Sequence, residues 1–418
     1  MRKSLFNKII LWCVILFLLI LAPTSLDMPS QSVVRAICTG LAIDTSNESG
    51  KLEVTAQILI PEAGGQYTQK LSLVSYDAKS LEESLEMMEY QVGKKIRMEH
   101  CCFIILSNAV CERNITTILD YLVRGNNIGN NTLLIHTDGK SKDLLSATSN
   151  VNSSEVDNLQ VISEYNEKYL FSGGANLLSF YHDYLSPHKT SYMANITMIK
   201  DDKSGGNGGT DQSSGSGSGS GSESSQGSSS SDKGNTQEDV VTSDGSVAIF
   251  YKGKCARVVT SEEREDFNWL DPKVEKAMVQ IENVSDNILK NATISYTIER
   301  KKMTHKFEIV NNVPTIRINF DLGLQTEMVL QGDESSLPIF DDYINDAVTL
   351  AFAEKIDRAV KNSMNIQKEH GFDVFDYYKE FSINCNADWK KYLSSLENPD
   401  DYMKGIEIFT EVTCYSAF

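Results

Sequence analysis

A tract that cannot fold into a core interrupts this chain of 418 residues. Residues 204–235 are mainly glycine and serine, with scattered polar residues and no large apolar side chain. Such a segment cannot bury enough apolar surface to offset the entropy of ordering it, so we expect it to be disordered. The apolar residues 192–199 and 247–251 lie close to its two ends. We therefore favour a long loop between two strands of one sheet, with a linker between two domains as the alternative.

The first 30 residues predict export. Arg2, Lys3 and Lys8 precede an apolar run over residues 9–22, and the next basic residue is Arg35. Because positive charge stays on the cytoplasmic side, we expect the rest of the chain to face outward. The run suits a signal peptide, but a good small-x-small cleavage site and a lipobox cysteine are both missing. We favour an uncleaved membrane anchor over a cleaved signal, and we expect no lipid anchor.

Composition limits the class of partner. The formal net charge of −18 argues against nucleic acid or anionic lipid as the main partner, because both need a basic face. The length predicts two or three domains. The eight cysteines show no C-x-x-C spacing, and most lie in apolar runs, so we interpret them as buried small apolar residues.

Apolar periodicity predicts the elements. Before the tract, residues 52–60 alternate as a half-buried strand, and a capping box at Ser80 begins a helix that Gly93 ends. Further strands are predicted at 97–106 and 132–136, and helices after Asn114 and at 142–147, 154–167 and 175–185. After the tract come strands at 292–298 and 316–324, a long helix at 340–370 and a final strand at 405–414.

This order predicts an α+β protein of several domains, with mixed β-sheets covered by helices. The predicted division is a signal or anchor segment (1–30), an N-terminal α+β domain (31–150), a middle domain interrupted by the tract (151–275) and a C-terminal α+β domain (276–418).

The residues give no catalytic, cofactor or metal site. No His pairs with another His or Cys at metal-ligand spacing, and the nucleophile-elbow and phosphate-loop motifs are absent. His136 follows an apolar strand and is interpreted as a satisfied strand-end residue. The acidic pairs 341–342 and 400–401 are interpreted as helix N-terminal charge and a turn. We therefore expect a binding or assembly module, not an enzyme.

The last fifty residues resemble the C-terminal signature of the Ger(x)C family, the C subunits of spore germinant receptors. Gln367, Asp373, Phe375 and Trp389 carry this resemblance, together with a closing strand at 406–408. Further back, Gly40 and Asp44 are similar to residues of the family's first strand, and His100 to one in its helix–strand unit. The resemblance covers residues 33–418.

The resemblance implies a three-domain protein on the outer face of the spore inner membrane. It implies integral-membrane receptor subunits as partners, nutrient sensing as the process and no enzymatic activity. Two features depart from the family: the lipobox is missing, and the Gly/Ser tract interrupts a strand-to-strand connection. We interpret Phe375 and Trp389 as core residues, and Gln367 and Asp373 as caps of the long helix or its exit turn.

Two other functions stay open. An exported solute- or glycan-binding protein should show an aromatic-lined pocket between domains. A cell-wall hydrolase should show converging carboxylates or a metal site.

Overall fold

The computed structural model describes residues 12, 35–60, 70–124, 128–150, 175–199, 240–272, 274, 277–285, 289–331 and 343–417. Apart from Trp12, the predicted N-terminal anchor lies outside these residues, as do the Gly/Ser tract, the predicted helix at 154–167 and the acidic pair 341–342. In the described part of the chain, no helix is long and apolar enough to cross a membrane.

The larger sheet, sheet 1, is mixed and has nine strands within the described residues. These are β1 (Arg35–Thr45), β2 (Leu52–Ile60), β3 (Lys70–Ala78), β4 (Lys95–Arg97), β5 (Phe103–Ser107), β6 (Leu133–Thr137), β7 (Thr190–Asn195), β10 (Val247–Tyr251) and β11 (Lys254–Val259). Their order is β11-β10-β7-β6-β5-β1-β2-β3, with β4 also paired to β1. The central strands β1, β5, β6 and β7 run parallel, and antiparallel strands flank them on both sides.

Helices cover both faces of sheet 1. They are α1 (Leu81–Val92), α2 (Asn108–Cys111), α3 (Thr116–Arg124), α4 (Ser141–Asn150) and α5 (Leu177–Leu185). Apolar side chains of α1, α3 and α5 join one large core with β1, β2 and β5. Leu144 and Leu145 of α4 pack on the opposite face, against Phe103 and Ile105.

The strands that flank the Gly/Ser tract are paired with each other. β7 lies antiparallel to β10, with Ala194 opposite Val247. The short strands β8 (Thr197–Ile199) and β9 (Val240–Thr242), which follow and precede them, also pair antiparallel. The prediction that residues 192–199 and 247–251 belong to strands is confirmed, and β7 and β10 are neighbours in sheet 1. Residue 150, the predicted domain boundary, lies between β6 and β7, which are neighbours in sheet 1.

The smaller sheet, sheet 2, has four strands within the described residues and carries helices on one face. The strands, in spatial order, are β12 (Ala277–Val284), β13 (Ala292–Val310), β14 (Val313–Leu330) and β15 (Glu407–Ser416). The helices are α7 (Asp346–His370), α8 (Tyr377–Asn384) and α9 (Asn386–Ser395), and α6 (Ser261–Leu270) lies between the two sheets in sequence. One core of buried residues joins α7 to the inner sides of these strands. The predicted α+β class, with mixed sheets covered by helices, is confirmed.

Two of the wrongly predicted element boundaries have a clear local cause. The strand predicted at 97–106 is two strands, because the chain turns at Cys101, whose N–H donates to the Met98 carbonyl. The helix predicted from residue 340 begins at Asp346, where the Asn345 side chain accepts the Val348 N–H at 2.9 Å. An Asn in extended backbone that accepts such a bond is a strong helix start.

We expect Gly40→Ala to destabilise sheet 1. A Cβ at Gly40 would lie 2.5 Å from Phe103 Cε2, and the ring is itself buried between β1 and α4. Overpacking of this kind costs about 2 kcal/mol of unfolding free energy. Chemical denaturation measures it, and Gly139→Ala is the matched control because a Cβ there meets nothing within 4 Å. Equal stability of the two variants would contradict this account of Gly40.

Candidate functional site

The structure separates the seven motif residues into three places. Gly40 and Asp44 lie on β1, and His100 is exposed in the turn before β5. The other four lie at the end of α7, in the segment between α7 and α8, and in α9: Gln367, then Asp373 and Phe375, then Trp389. The junction between sheet 1 and the helices of sheet 2 is therefore the place where motif residues meet. We call it the Asp373 junction.

Asp373 holds the start of α8 through a fully buried carboxylate. Its Oδ1 accepts the Tyr377 N–H at 3.0 Å, and its Oδ2 accepts the Tyr378 N–H at 2.9 Å. The Tyr402 hydroxyl donates to the same Oδ2 at 2.8 Å. A carboxylate at a helix N-terminus satisfies backbone donors that have no partner inside the helix.

The same residue reaches sheet 1 through its backbone. The Asp373 N–H donates to Thr190 Oγ1 at 3.0 Å, and Thr190 is the first residue of β7. The Thr190 hydroxyl donates in turn to the His188 carbonyl at 3.0 Å. Gln367, in the last turn of α7, accepts the Val374 N–H at 3.1 Å through Oε1. One short segment therefore joins α7, α8 and β7.

Opposing effects act on protonation in this network. Burial raises the pKa of the Asp373 carboxyl, whereas the three donors and nearby His188 favour its charged form. Burial and the Asp373 charge raise the pKa of Tyr402, so its hydroxyl stays a donor. The site is therefore built to accept hydrogen bonds, and both carboxylate oxygens are already occupied.

Aromatic packing surrounds the junction. Trp389 is 1% exposed and stacks on Phe381, with ring centroids 4.9 Å apart. Tyr378 and Tyr402 meet it edge to face. Phe375 is only partly buried and lies 6.2 Å from Phe267 of α6. These rings place the side chains that hold Asp373.

Ion pairs at the rim of the junction add little. Asp400 accepts Lys252 at 2.5 Å and lies 3.7 Å from Lys189, both from sheet 1 or its connections. These groups are more than a third exposed, and such pairs contribute about 0–1 kcal/mol. The predicted turn at 400–401 is a 3₁₀ helix, Pro399–Gly405. The buried carboxylate, not this rim, dominates the junction.

Asp44 plays the same part in sheet 1. It lies at the end of β1, and its two oxygens accept the Ser141 and Lys142 N–H groups of α4, each at 2.9 Å. Burial raises the pKa of its carboxyl. The two acidic motif residues thus each hold a helix N-terminus.

The interpretation of His136 as a satisfied strand-end residue is confirmed, but the sequence analysis missed the polar cluster around it. His136, at the end of β6, is fully buried between Asn195 Oδ1 at 2.8 Å and Asn108 Oδ1 at 3.2 Å. Asn195 donates to Asp138 and Ser246. Asn108, Asp138 and Asn195 end or follow strands of sheet 1, and Ser246 precedes β10. Polar residues at strand ends are the pattern in the sequence that indicates the cluster. Within the described residues, no group of His, Cys, Asp and Glu side chains could hold a metal ion.

An open groove of about 1090 Å³ lies between α6, β12 and α7. Trp269 is the aromatic residue of its lining, and the exposed Met278 and Leu350 stand at its sides. Lys301 also lines it, and its Nζ donates to the carbonyls of Asn268 at 3.0 Å and Asp271 at 2.7 Å. Burial lowers the pKa of this lysine to about 8.

Comparison with known proteins covers most of the chain. Residues 34–198 match the family model described as "Spore germination protein N-terminal domain". Residues 245–414 match the model described as "Spore germination B3/ GerAC like, C-terminal". The crystal structure of the GerBC protein is similar, at 14% identity and a TM-score of 0.46, over 91% of this chain and 97% of that chain. No curated protein matches.

We expect Asp373→Asn to destabilise the protein by about 2 kcal/mol. An amide NH₂ would face a donor that now bonds to a carboxylate oxygen, and one buried N–H or O–H would lose its acceptor. Denaturant unfolding measures the change. Asp376→Asn is the matched control, three residues away and partly exposed, and it should cost less than about 1 kcal/mol. Equal losses at the two positions would contradict the role given to Asp373.

We expect the contribution of Lys301 to stability to rise with pH. Its folded pKa of about 8 lies below the unfolded value of 10.5, so between these values the unfolded chain binds a proton that the folded chain does not. The unfolding free energy of the native protein minus that of Lys301→Met should therefore increase by about 2 kcal/mol as the pH rises from 8 to 10.5.

Guanidinium unfolding at a series of pH values measures this gain. Lys302→Met is the control, because Lys302 is the next residue of β13 and is exposed. A difference between the native protein and Lys301→Met that stays constant over this range would refute the assignment.

Proposed function

Because the chain belongs to the Ger(x)C family of spore germination proteins, we propose that it is the non-catalytic, extracytoplasmic subunit of a nutrient germinant receptor. It acts by assembling with integral-membrane receptor subunits. The observation that carries this proposal is the presence of both family domains, in order, along one chain. The N-terminal apolar run supports a position on the outer face of the spore inner membrane, held by an uncleaved segment and not by a lipid anchor.

The Asp373 junction supports an assembly role for the whole chain. The two family domains contribute opposite sides of it: Thr190 from the first, and Asp373, Tyr377 and Tyr402 from the second. An apolar cluster adds to these bonds, with Tyr192 of the first domain packed against a group that includes Ile249 and Phe372 of the second. The junction holds both domains in one arrangement, so a partner can contact surfaces on both without ordering them first.

The motif side chains support a structural role for this signature. Gln367, Asp373 and Trp389 are at most 1% exposed. The carboxylate oxygens of Asp44 and Asp373 accept hydrogen bonds from backbone N–H groups. The groove beside α7 is the feature that bears on the second candidate, an exported solute-binding protein, but it lies within the second family domain and Trp269 is the aromatic side chain of its lining.

We expect integral-membrane receptor subunits to co-purify with the tagged protein from detergent-solubilised spore membranes. Asp373→Asn should reduce their recovery relative to the tagged protein itself, because it weakens the bonds that hold α8 beside β7. Asp376→Asn should leave the recovery unchanged. Quantitative mass spectrometry after mild chemical cross-linking measures the ratio.

Recovery of the native protein alone, with and without cross-linking, would sink the proposal. A small molecule that protects Trp269 from fluorescence quenching, in a protein that recovers no membrane subunit, would favour the second candidate.

A further inference from the structure

Two buried cysteines meet in the core of sheet 1. Cys38 lies on β1 and is fully buried, and Cys101 lies just before β5 and is 4% exposed. Both side chains belong to the same apolar core, beneath α1, α3 and α5. Cys102, the residue after Cys101, is exposed instead.

The pairing of β1 with β5 brings the two cysteines side by side. The strands run parallel from Gly40 opposite Phe103, and the Cys102 N–H donates to the Thr39 carbonyl at 2.9 Å. Cys38 immediately precedes Thr39, and Cys101 immediately precedes Cys102. The two cysteines therefore lie opposite each other in this register. Neighbouring strands lie about 4.8 Å apart, within the range of about 4.4–6.8 Å that a disulfide needs between Cα atoms.

A local irregularity turns both thiols to the same side. The register of β1 against β2 shifts between Cys38 and Gly40. Cys38 therefore does not face the same side of the sheet as Gly40, which lies against Phe103. The two side chains take matching positions: Cys38 Sγ donates to the Gly40 carbonyl at 3.2 Å, and Cys101 Sγ to the Phe103 carbonyl at 3.4 Å.

The surroundings favour the neutral thiols once the protein has folded. Hydrogen bonding with Cys38, and then burial, raise the pKa of Cys101 well above its usual value. Thiolate is the reactive form, so folded Cys101 reacts slowly with external reagents. A bond between the two sulfurs must therefore form before the core closes, when both thiols are accessible.

We propose that Cys38 and Cys101 are joined by a disulfide bond in the exported protein. This inference rests on the proposed extracytoplasmic position, since disulfides persist in oxidising surroundings. A thiolate of one cysteine attacks a low-molecular-weight disulfide and releases one thiol. The second cysteine then attacks the sulfur of the first and releases the other thiol. The two protein thiols are oxidised, the reagent is reduced to two thiols, and the protein loses two hydrogen atoms.

The bond would fix the central strands of sheet 1. It would close a loop that contains β2, β3, α1 and β4, and so would tie one antiparallel flank to the parallel centre. A cross-link stabilises mainly by restricting the unfolded chain, and the effect grows with the length of the loop. The reduced protein keeps its packing, because both thiols already lie within the apolar core.

Mass spectrometry of the full-length protein tests the bond. Spore membranes are solubilised with N-ethylmaleimide under denaturing conditions, and the protein is digested without reductant. We expect a linked pair of peptides that contain Cys38 and Cys101, and an alkylated Cys102. Alkylation of both Cys38 and Cys101, or a link from either to Cys102, would overturn the proposal.

Thermal unfolding gives an independent readout. The protein refolded with oxidised glutathione should unfold several degrees higher than after reduction. Cys38→Ala and Cys101→Ala should each abolish this difference. Cys111→Ala is the matched control, because Cys111 is buried in the same core, and it should keep both the linked peptide and the shift.

A reductant-dependent shift that survives in Cys38→Ala would refute the pairing. The readouts also separate this inference from the proposed function. A protein that recovers no receptor subunits but yields the linked peptide contradicts only the assembly proposal, and the reverse result contradicts only the disulfide.

Discussion

The contact between sheet 1 and the helices that follow α7 is organised around one buried carboxylate. Asp373 lies where α7 has ended and α8 has not begun, and it spends both oxygens on three donors. An unpaired buried charge costs several kcal/mol of folding free energy, so the carboxylate requires the donors around it. The chain after α9 therefore has to return so that Tyr402 lies beside Asp373, and α8 has to begin at Tyr377. The backbone N–H of the same residue then fixes where β7 lies.

Asp44 and Asp373 each supply acceptors for the N–H groups at the start of a helix, Asp44 beside sheet 1 and Asp373 beside sheet 2. Each is an acid next to a helix start, and each accepts two backbone N–H groups of that helix. The acids differ in what else they hold. Asp44 joins one strand to one helix of its own sheet, whereas Asp373 also receives a tyrosine hydroxyl and sends its N–H to the other sheet. A substitution at Asp44 should therefore affect only the contact between β1 and α4. A substitution at Asp373 should affect the helices of sheet 2 and strand β7 of sheet 1 together.

Local signals in the sequence predicted local structure well. Ser80, whose side chain accepts the Glu83 N–H, and Gly93 correctly predicted both ends of the helix Leu81–Val92, because each acts within one turn. The extent of β13 was missed, since its second half carries Arg300, Lys301 and Lys302 in place of a clear apolar face. The Asp373 junction could not be found this way. Its partner Thr190 is 183 residues away, and nothing near either residue indicates the other.

Strand β7 connects the two polar networks of the molecule. Its first residue, Thr190, receives the Asp373 N–H, and its last, Asn195, bonds to His136 and Ser246. Between them the strand pairs with β10 along its whole length and with β6 at its end. A strand held in this way cannot slip by one residue, because slippage would turn every side chain to the opposite face and break both networks at once. The two ends of the chain between β8 and β9 are held together by paired strands, so a long insertion there adds little closure entropy. This is why an extended Gly/Ser tract is compatible with a sheet whose neighbouring strands admit no change of register.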